Sequence, residues 1–185
     1  MTLLGIRVLG DPILRQETVP VTTFDGALRR LTEDMFETMR VAEGIGLAAP
    51  QVGRTERLTV IEIDGVKRVL VNPEIVAREG TARAEEGCLS IPDIYGDVDR
   101  STQVVARAQD VQGAFYEIEA TALLARCIQH EIDHLHGKLF IDYLSVLKRR
   151  AALAKWQLHK SKYPGNVRVL TPAEVAAHHA RNEEL

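Results

Sequence analysis

Cysteine is nearly absent: two occur in 185 residues, Cys88 and Cys127. Two cannot build the disulfide framework of a small secreted domain, so these thiols are free for a metal or simply buried. No apolar run approaches the ~18 residues that a membrane-spanning helix needs. The opening MTLLGIRVLGDPILRQ lacks a long apolar stretch and carries a charge at Arg7, so no signal peptide is expected. An excess of positive charge is missing too. Lys and Arg number 23 against 26 Asp and Glu, a net charge of −3, which argues against a chain-wide nucleic-acid footprint and against DNA as a partner. Internal repeats and low-complexity segments are also missing. What remains reads as a cytoplasmic enzyme or binding domain of ordinary composition, 45% apolar and 26% charged. A single domain of this length buries roughly 70% of the surface its unfolded chain exposes.

Between Asp25 and Glu43, Leu28, Leu31, Met35 and Met39 recur at helical spacing, with Asp25 as the N-cap and Gly44 as the stop. The Gly-rich GIGLAAPQVG (44–53) reads as a loop. RLTVIEI (57–63) and KRVLVNPEIV (67–76) read as strands joined by an Asp64-Gly65 hairpin turn, and TQVVARAQD (102–110) with AFYEIEA (114–120) repeats the pattern. A helix is expected over 121–136, with Thr121 as N-cap and Gly137 just past its end. A further helix runs from about Ser145 to Lys160, closed by Pro164-Gly165. Helices thus bracket a strand-rich middle. The expected class is α+β, with antiparallel or mixed sheets packed around a central helix and helices near both ends.

The central helix contains IQHEIDHLHG, 128–137. Positions i and i+4 share one helical face, so His130 and His134 can chelate one cation. Glu131, offset to the side, can reach a water on that cation without binding the metal itself. The other reading is a polar surface helix. Two histidines leave a catalytic site one ligand short. A third histidine after Gly137 fails, because Phe140 holds the required place, and no Glu occurs between Leu135 and Ala173. Asp142 is one candidate, with a solvated or supporting carboxylate as its alternative. Cys127 shares the histidine face, but it lies seven residues from His134, about 10.5 Å along the axis, and side chains lean toward the N-terminus. Cys127 therefore reads as a small buried residue. Cys88, in EEGCLSIP (85–92), comes from a distant segment and is free to approach from another direction, with Gly87 permitting close backbone. A thiolate and two imidazoles leave the fourth position of a catalytic metal open to water.

With these residues assembled, the chain resembles the peptide deformylases. The match rests on GIGLAAPQ (44–51), EGCLS (86–90) and QHEIDHLHG (129–137), supported by VLGDPILRQ and FIDYLS, and covers roughly residues 5–148. A catalytic domain is expected over 1–163; the polar tail over 164–185, with Pro172 and HHARNEEL, has no counterpart in the family and is expected to be partly mobile. The resemblance implies Cys88, His130 and His134 as metal ligands, Glu131 as acid and base, and the Gln51 side chain and Leu89 backbone N–H as oxyanion donors. It implies hydrolysis of the formyl group from the N-terminal formyl-methionine of nascent polypeptides. Ferrous iron is the implied metal, replaceable by zinc, nickel or cobalt, although ligand softness alone suggests zinc. Gly46 is expected on the substrate main chain, Ile45 in the methionine pocket, and Arg100 at the substrate entrance, where the other reading is an exposed strand-end charge. Asp133 and Gln129 are expected to orient the histidines, and His136, His178 and His179 to be solvated. The basic C-terminal helix, with Lys148, Arg149, Arg150, Lys155, Lys160 and Lys162, suits ribosome docking or is a solvated face. Two other functions compete: a peptidase cleaving internal bonds, which leaves EGCLS unexplained, and a non-catalytic metal-binding module, which leaves Glu131 unused.

Overall fold

The computed structural model describes residues 2–183. Strand β1 (Ile6–Arg7) leads to helix α1 (Gly26–Val41). Asp25 caps this helix as expected, its carboxylate accepting from Ala27 N at 2.9 Å and Leu28 N at 3.0 Å. The end differs from expectation. The helix stops at Val41, and the left-handed residue is Glu43, with φ 62°, rather than Gly44. Gly44 is needed for another reason: a Cβ there would lie 2.7 Å from Leu89 Cδ1.

Within the segment read as a loop, Gly46–Ala48 forms the short strand β2. It is the edge of a five-stranded sheet ordered β2-β3-β4-β7-β8, with β3 Leu58–Ile63, β4 Val66–Glu79, β7 Gln103–Gln109 and β8 Phe115–Thr121. Each pair in it is antiparallel. The β3–β4 turn is the expected hairpin, with Asp64 and Gly65 both at positive φ, 53° and 72°, the geometry that matches strand twist. Strand β3 is apolar on both sides because helices cover both faces. Leu58 and Val60 pack with Leu28, Met35 and Met39 of α1. Ile61 packs with Ala125, Ile128 and Ile132 of helix α2 (Ala122–Leu135).

Strands β5 (Ala82–Cys88) and β6 (Ile91–Arg100) form a separate two-stranded antiparallel ribbon. The ribbon packs through Ile91, Ile94 and Val98 on Phe140, Ile141 and Trp156, the last from helix α3 (Val146–His159). Beyond α3, strand β9 (Val167–Arg168) pairs with β1, and helix α4 spans Pro172–Glu183. Leu170 and Val175 join Ile6, Val41 and Ala42 in a small core. Residues 184 and 185 of the tail lie outside the described residues.

Helix α2 ends as the sequence indicates, at a left-handed Gly137 with φ 67°. A Cβ there would also meet Arg15 O at 2.6 Å. Left-handed strain of about 1–2 kcal/mol and overpacking of about 1–3 kcal/mol add, so Gly137→Ala is expected to lower stability by about 2–5 kcal/mol. A denaturant titration that finds no change in midpoint would refute this account of the helix end.

Candidate metal centre

Helix α2 holds His130 and His134 one turn apart. Their Nε2 atoms stand 3.2 Å from one another, with the rings edge to face at 4.9 Å and 74°. Cys88 ends β5, where the ribbon's register shifts between Gly87 and Cys88. Its Sγ lies 3.3 Å from His134 Nε2. The three ligand atoms all fall within 4.8 Å of one another. Donors bonded at 2.0–2.3 Å to a tetrahedral cation stand about 3.3–3.8 Å apart, so the residues present fit a metal ion. Cys127 does not join them. Its buried sulfur faces Ile45 O at 4.0 Å, and burial pushes its thiol well up. Asp142 is drawn instead to Arg15 and Arg149, at 2.5 and 3.2 Å, and to Leu139 N.

Tautomer and position are set by a residue the sequence reading passed over. Glu86 accepts from His130 Nδ1 at 2.9 Å, which turns the Nε2 lone pair toward the ligand cluster. Glu86 also accepts from Arg100 Nε and Nη2 at 2.9 and 3.0 Å, and from Arg126 Nη1 at 2.8 Å. Burial alone would raise its pKa, but the bonds from His130 and Arg100 hold it at about 2. Glu86 stands inside the EGCLS stretch, and its signal was chemical: a buried carboxylate there needs partners.

Three expectations about the surroundings are corrected. Arg100 is neither at the substrate entrance nor exposed. It is 6% accessible, because Glu86 and Asp133, the latter at 2.5 Å, draw it behind the histidines. Asp133 and Gln129 do not touch the imidazoles. Asp133 binds Arg100 and the Tyr143 hydroxyl, reaching His130 only through Arg100 and Glu86, while Gln129 ties α2 to the Ser101 backbone at 2.9 and 3.0 Å. His136 is exposed, as expected, and pairs with Glu17 at 2.6 Å. His178 is buried rather than solvated, because the tail folds into α4; the His179 side chain lies outside the described residues. Burial pushes the His134 imidazole well below its ordinary range, keeping it in the neutral form a ligand requires.

Glu131 is 4% exposed, and its Oε2 has no hydrogen-bond partner among the described residues. Burial pushes its pKa up to about 7, the range suited to taking and returning a proton near neutrality. Gly46 explains how it fits: a Cβ at that position would sit 2.3 Å from Glu131 Oε1 and 2.9 Å from Cys127 Sγ. Gln51 is buried beside the cluster. Its Oε1 accepts from Ala48 N at 2.8 Å, which fixes the amide so that Nε2 faces Ser90 Oγ at 3.2 Å and Cys88 Sγ at 3.5 Å. Leu89 follows Cys88 directly and packs against the Gly44 position. A cleft of about 470 Å³ opens over the cluster, walled by Ile45, Gly46, Leu89, His130 and Glu131. Ile45 is 42% exposed on that wall.

A cysteine sulfur and two imidazoles beside a buried carboxylate, beneath an open cleft, define a metal-dependent hydrolase. Comparison with known proteins narrows the class. The model of the polypeptide deformylase family matches residues 3–150. The peptide deformylase of Alkalilimnicola ehrlichii is 50% identical over 173 residues, covering 91% of this chain and 96% of that protein. The crystal structure of a peptide deformylase from Legionella pneumophila superimposes with a TM-score of 0.84 at 48% identity, covering 86% of this chain and 96% of that one. That of the Synechococcus elongatus enzyme in complex with actinonin gives 0.80 at 43% identity, covering 82% and 86%. The chain belongs to the peptide deformylase family, metal-dependent enzymes that remove the N-formyl group from nascent polypeptides. The α+β class expected from the sequence is the class of these structures.

Proposed function

We propose that deformylation in this chain is carried out by Cys88, His130 and His134 as metal ligands, Glu131 as acid and base, and Gln51 with the Leu89 backbone N–H as oxyanion donors. The observation that carries this reading is the unpartnered, buried Glu131 Oε2 beside three converging metal-binding atoms. A divalent cation, when bound, supplies Lewis acidity, lowering the pKa of a water and polarising the formyl carbonyl. Glu131 takes a proton from the attacking water as its oxygen bonds to the formyl carbon. Gln51 Nε2–H and the Leu89 N–H donate to the formyl oxygen as it gains negative charge; one such donor is worth about 3–4 kcal/mol of barrier. Glu131 then gives the proton to the departing α-amine as the C–N bond breaks, releasing formate and a free N-terminus.

Substrate placement follows from the cleft walls. Gly46, on edge strand β2, can meet an extended peptide main chain, and Ile45 offers an apolar surface to the methionine side chain. Because Arg100 is buried, it serves here by holding Glu86 and Asp133 rather than by touching peptide. Iron as Fe2+ is proposed for the site on family membership; the same donors also suit zinc, nickel and cobalt. A cytoplasmic location is proposed because the substrates are nascent chains, and ribosome docking is proposed on the exposed Lys148, Arg149 and Arg150 of α3. No described helix is long and apolar enough to cross a membrane.

Formate release separates this function from cleavage of internal peptide bonds. A formyl-Met-Ala-Ser peptide is expected to be turned over at least about 100-fold faster than its acetyl counterpart, with the internal bonds left intact. Comparable rates on both, or cleavage products lacking the methionine, would contradict it.

A further inference from the structure

We propose that the chain beyond residue 150 builds a distal subsite for the peptide substrate, in which Arg168 binds a main-chain oxygen downstream of the third residue; this rests on the deformylase reading above. A second cavity of about 420 Å³ lies beside the catalytic cleft. The two share Pro92, Asp93 and Arg168 as walls, so they adjoin as neighbouring stretches of one surface groove. Lys162, Tyr163 and Thr171 line only the far part. An extended peptide advances about 3.3 Å per residue, so a nascent chain held at the metal must leave the cleft within a few residues, and this groove gives it a path.

Arg168 is held ready for that role. Its backbone is fixed by antiparallel pairing of β9 with β1, opposite Ile6. Its guanidinium is oriented by Glu174, whose Oε1 accepts from Nη2 at 2.7 Å. Glu174 is itself locked in place by a reciprocal helix cap at the start of α4: its Oε2 accepts from Thr171 N at 2.6 Å, and Thr171 Oγ1 accepts from Glu174 N at 3.2 Å. A guanidinium carries five N–H donors in a planar fork, so one edge can stay on Glu174 while another meets a peptide carbonyl. The other arginine at the cleft, Arg126, is committed to Glu86, Val98 O and Ala82 O. The second cavity also lies largely on residues past the family match, which ends at 150. The subsite is therefore specific to chains with this C-terminal segment.

The test compares amidated formyl-Met-Ala-Ser with an amidated six-residue peptide extending it by alanines, on the metal-loaded full chain. The longer peptide is expected to show a KM about tenfold lower, the effect of one charge-assisted hydrogen bond. Arg168→Ala is expected to bring the ratio of the two KM values toward one. Lys162→Trp, which narrows the second cavity and leaves the Thr171–Glu174 cap behind Arg168 intact, should do the same and guards against misfolding of the first variant. Equal KM values for both lengths in the unaltered protein would overturn the subsite, as would variants that shift both peptides alike. Formate release from neither peptide would overturn the catalytic assignment and the subsite together.

Discussion

Glu131→Ala is expected to bind metal at the level of the unaltered protein while kcat for formate release falls about 10²–10⁴-fold or more. The carboxylate is not among the three converging ligand atoms, so its removal leaves the metal site whole. What disappears is the group proposed above to carry a proton from water to the departing amine. The same substitution should not destabilise the fold. A buried carboxylate oxygen with no partner among the described residues costs free energy in the folded state, so the melting temperature should hold or rise. Metal analysis and formate release on one preparation check both halves. An active Glu131→Ala enzyme removes Glu131 from the reaction, and a metal-free one makes it a ligand.

Cys88→Ala has the opposite signature. Two imidazoles on one helical turn remain, and a site that loses one of three protein ligands binds divalent metal far more weakly. After anaerobic purification, bound metal is expected below about a tenth of an equivalent, with activity lost in proportion. The protein should still fold, because β5 is held to β6 along its whole length and Glu86 remains bonded to His130, Arg100 and Arg126. Full metal occupancy in this variant would move the third ligand elsewhere. Together the two substitutions separate holding the metal from using it.

How much of this was visible in the sequence depends on how local its cause is. Helix α2 was legible because the His130–His134 spacing, the apolar Ile128 and Ile132 and the stop at Gly137 all lie within ten residues. The β3–β4 hairpin announced itself through Asp64-Gly65. The β5–β6 ribbon did not. Arg83, Glu85, Glu86, Asp97 and Asp99 interrupt any apolar alternation, and Pro92 and Gly96 read as breakers. Pro92 is tolerated because β6 pairs only with β5. Arg100 was misplaced for a related reason: a charge near the end of a strand looks solvated until the carboxylates across from it are known. The α4 start was signalled by Thr171-Pro172-Ala173-Glu174, a capping pattern with proline at the first helical position. Beside a two-residue strand that has no measurable period, it went unused.

The sulfur and the imidazoles belong to different parts of the protein. Cys88 sits with the cluster built on Ile91, Phe140 and Trp156, whereas α2 sits with the cluster built on Ile61, Leu70 and Ala106. A cation held by all three would act as a clasp across the seam between these two clusters. Its binding free energy then adds to the cohesion of the whole chain, and the cell's supply of metal sets how long the folded enzyme lasts as well as how fast it works.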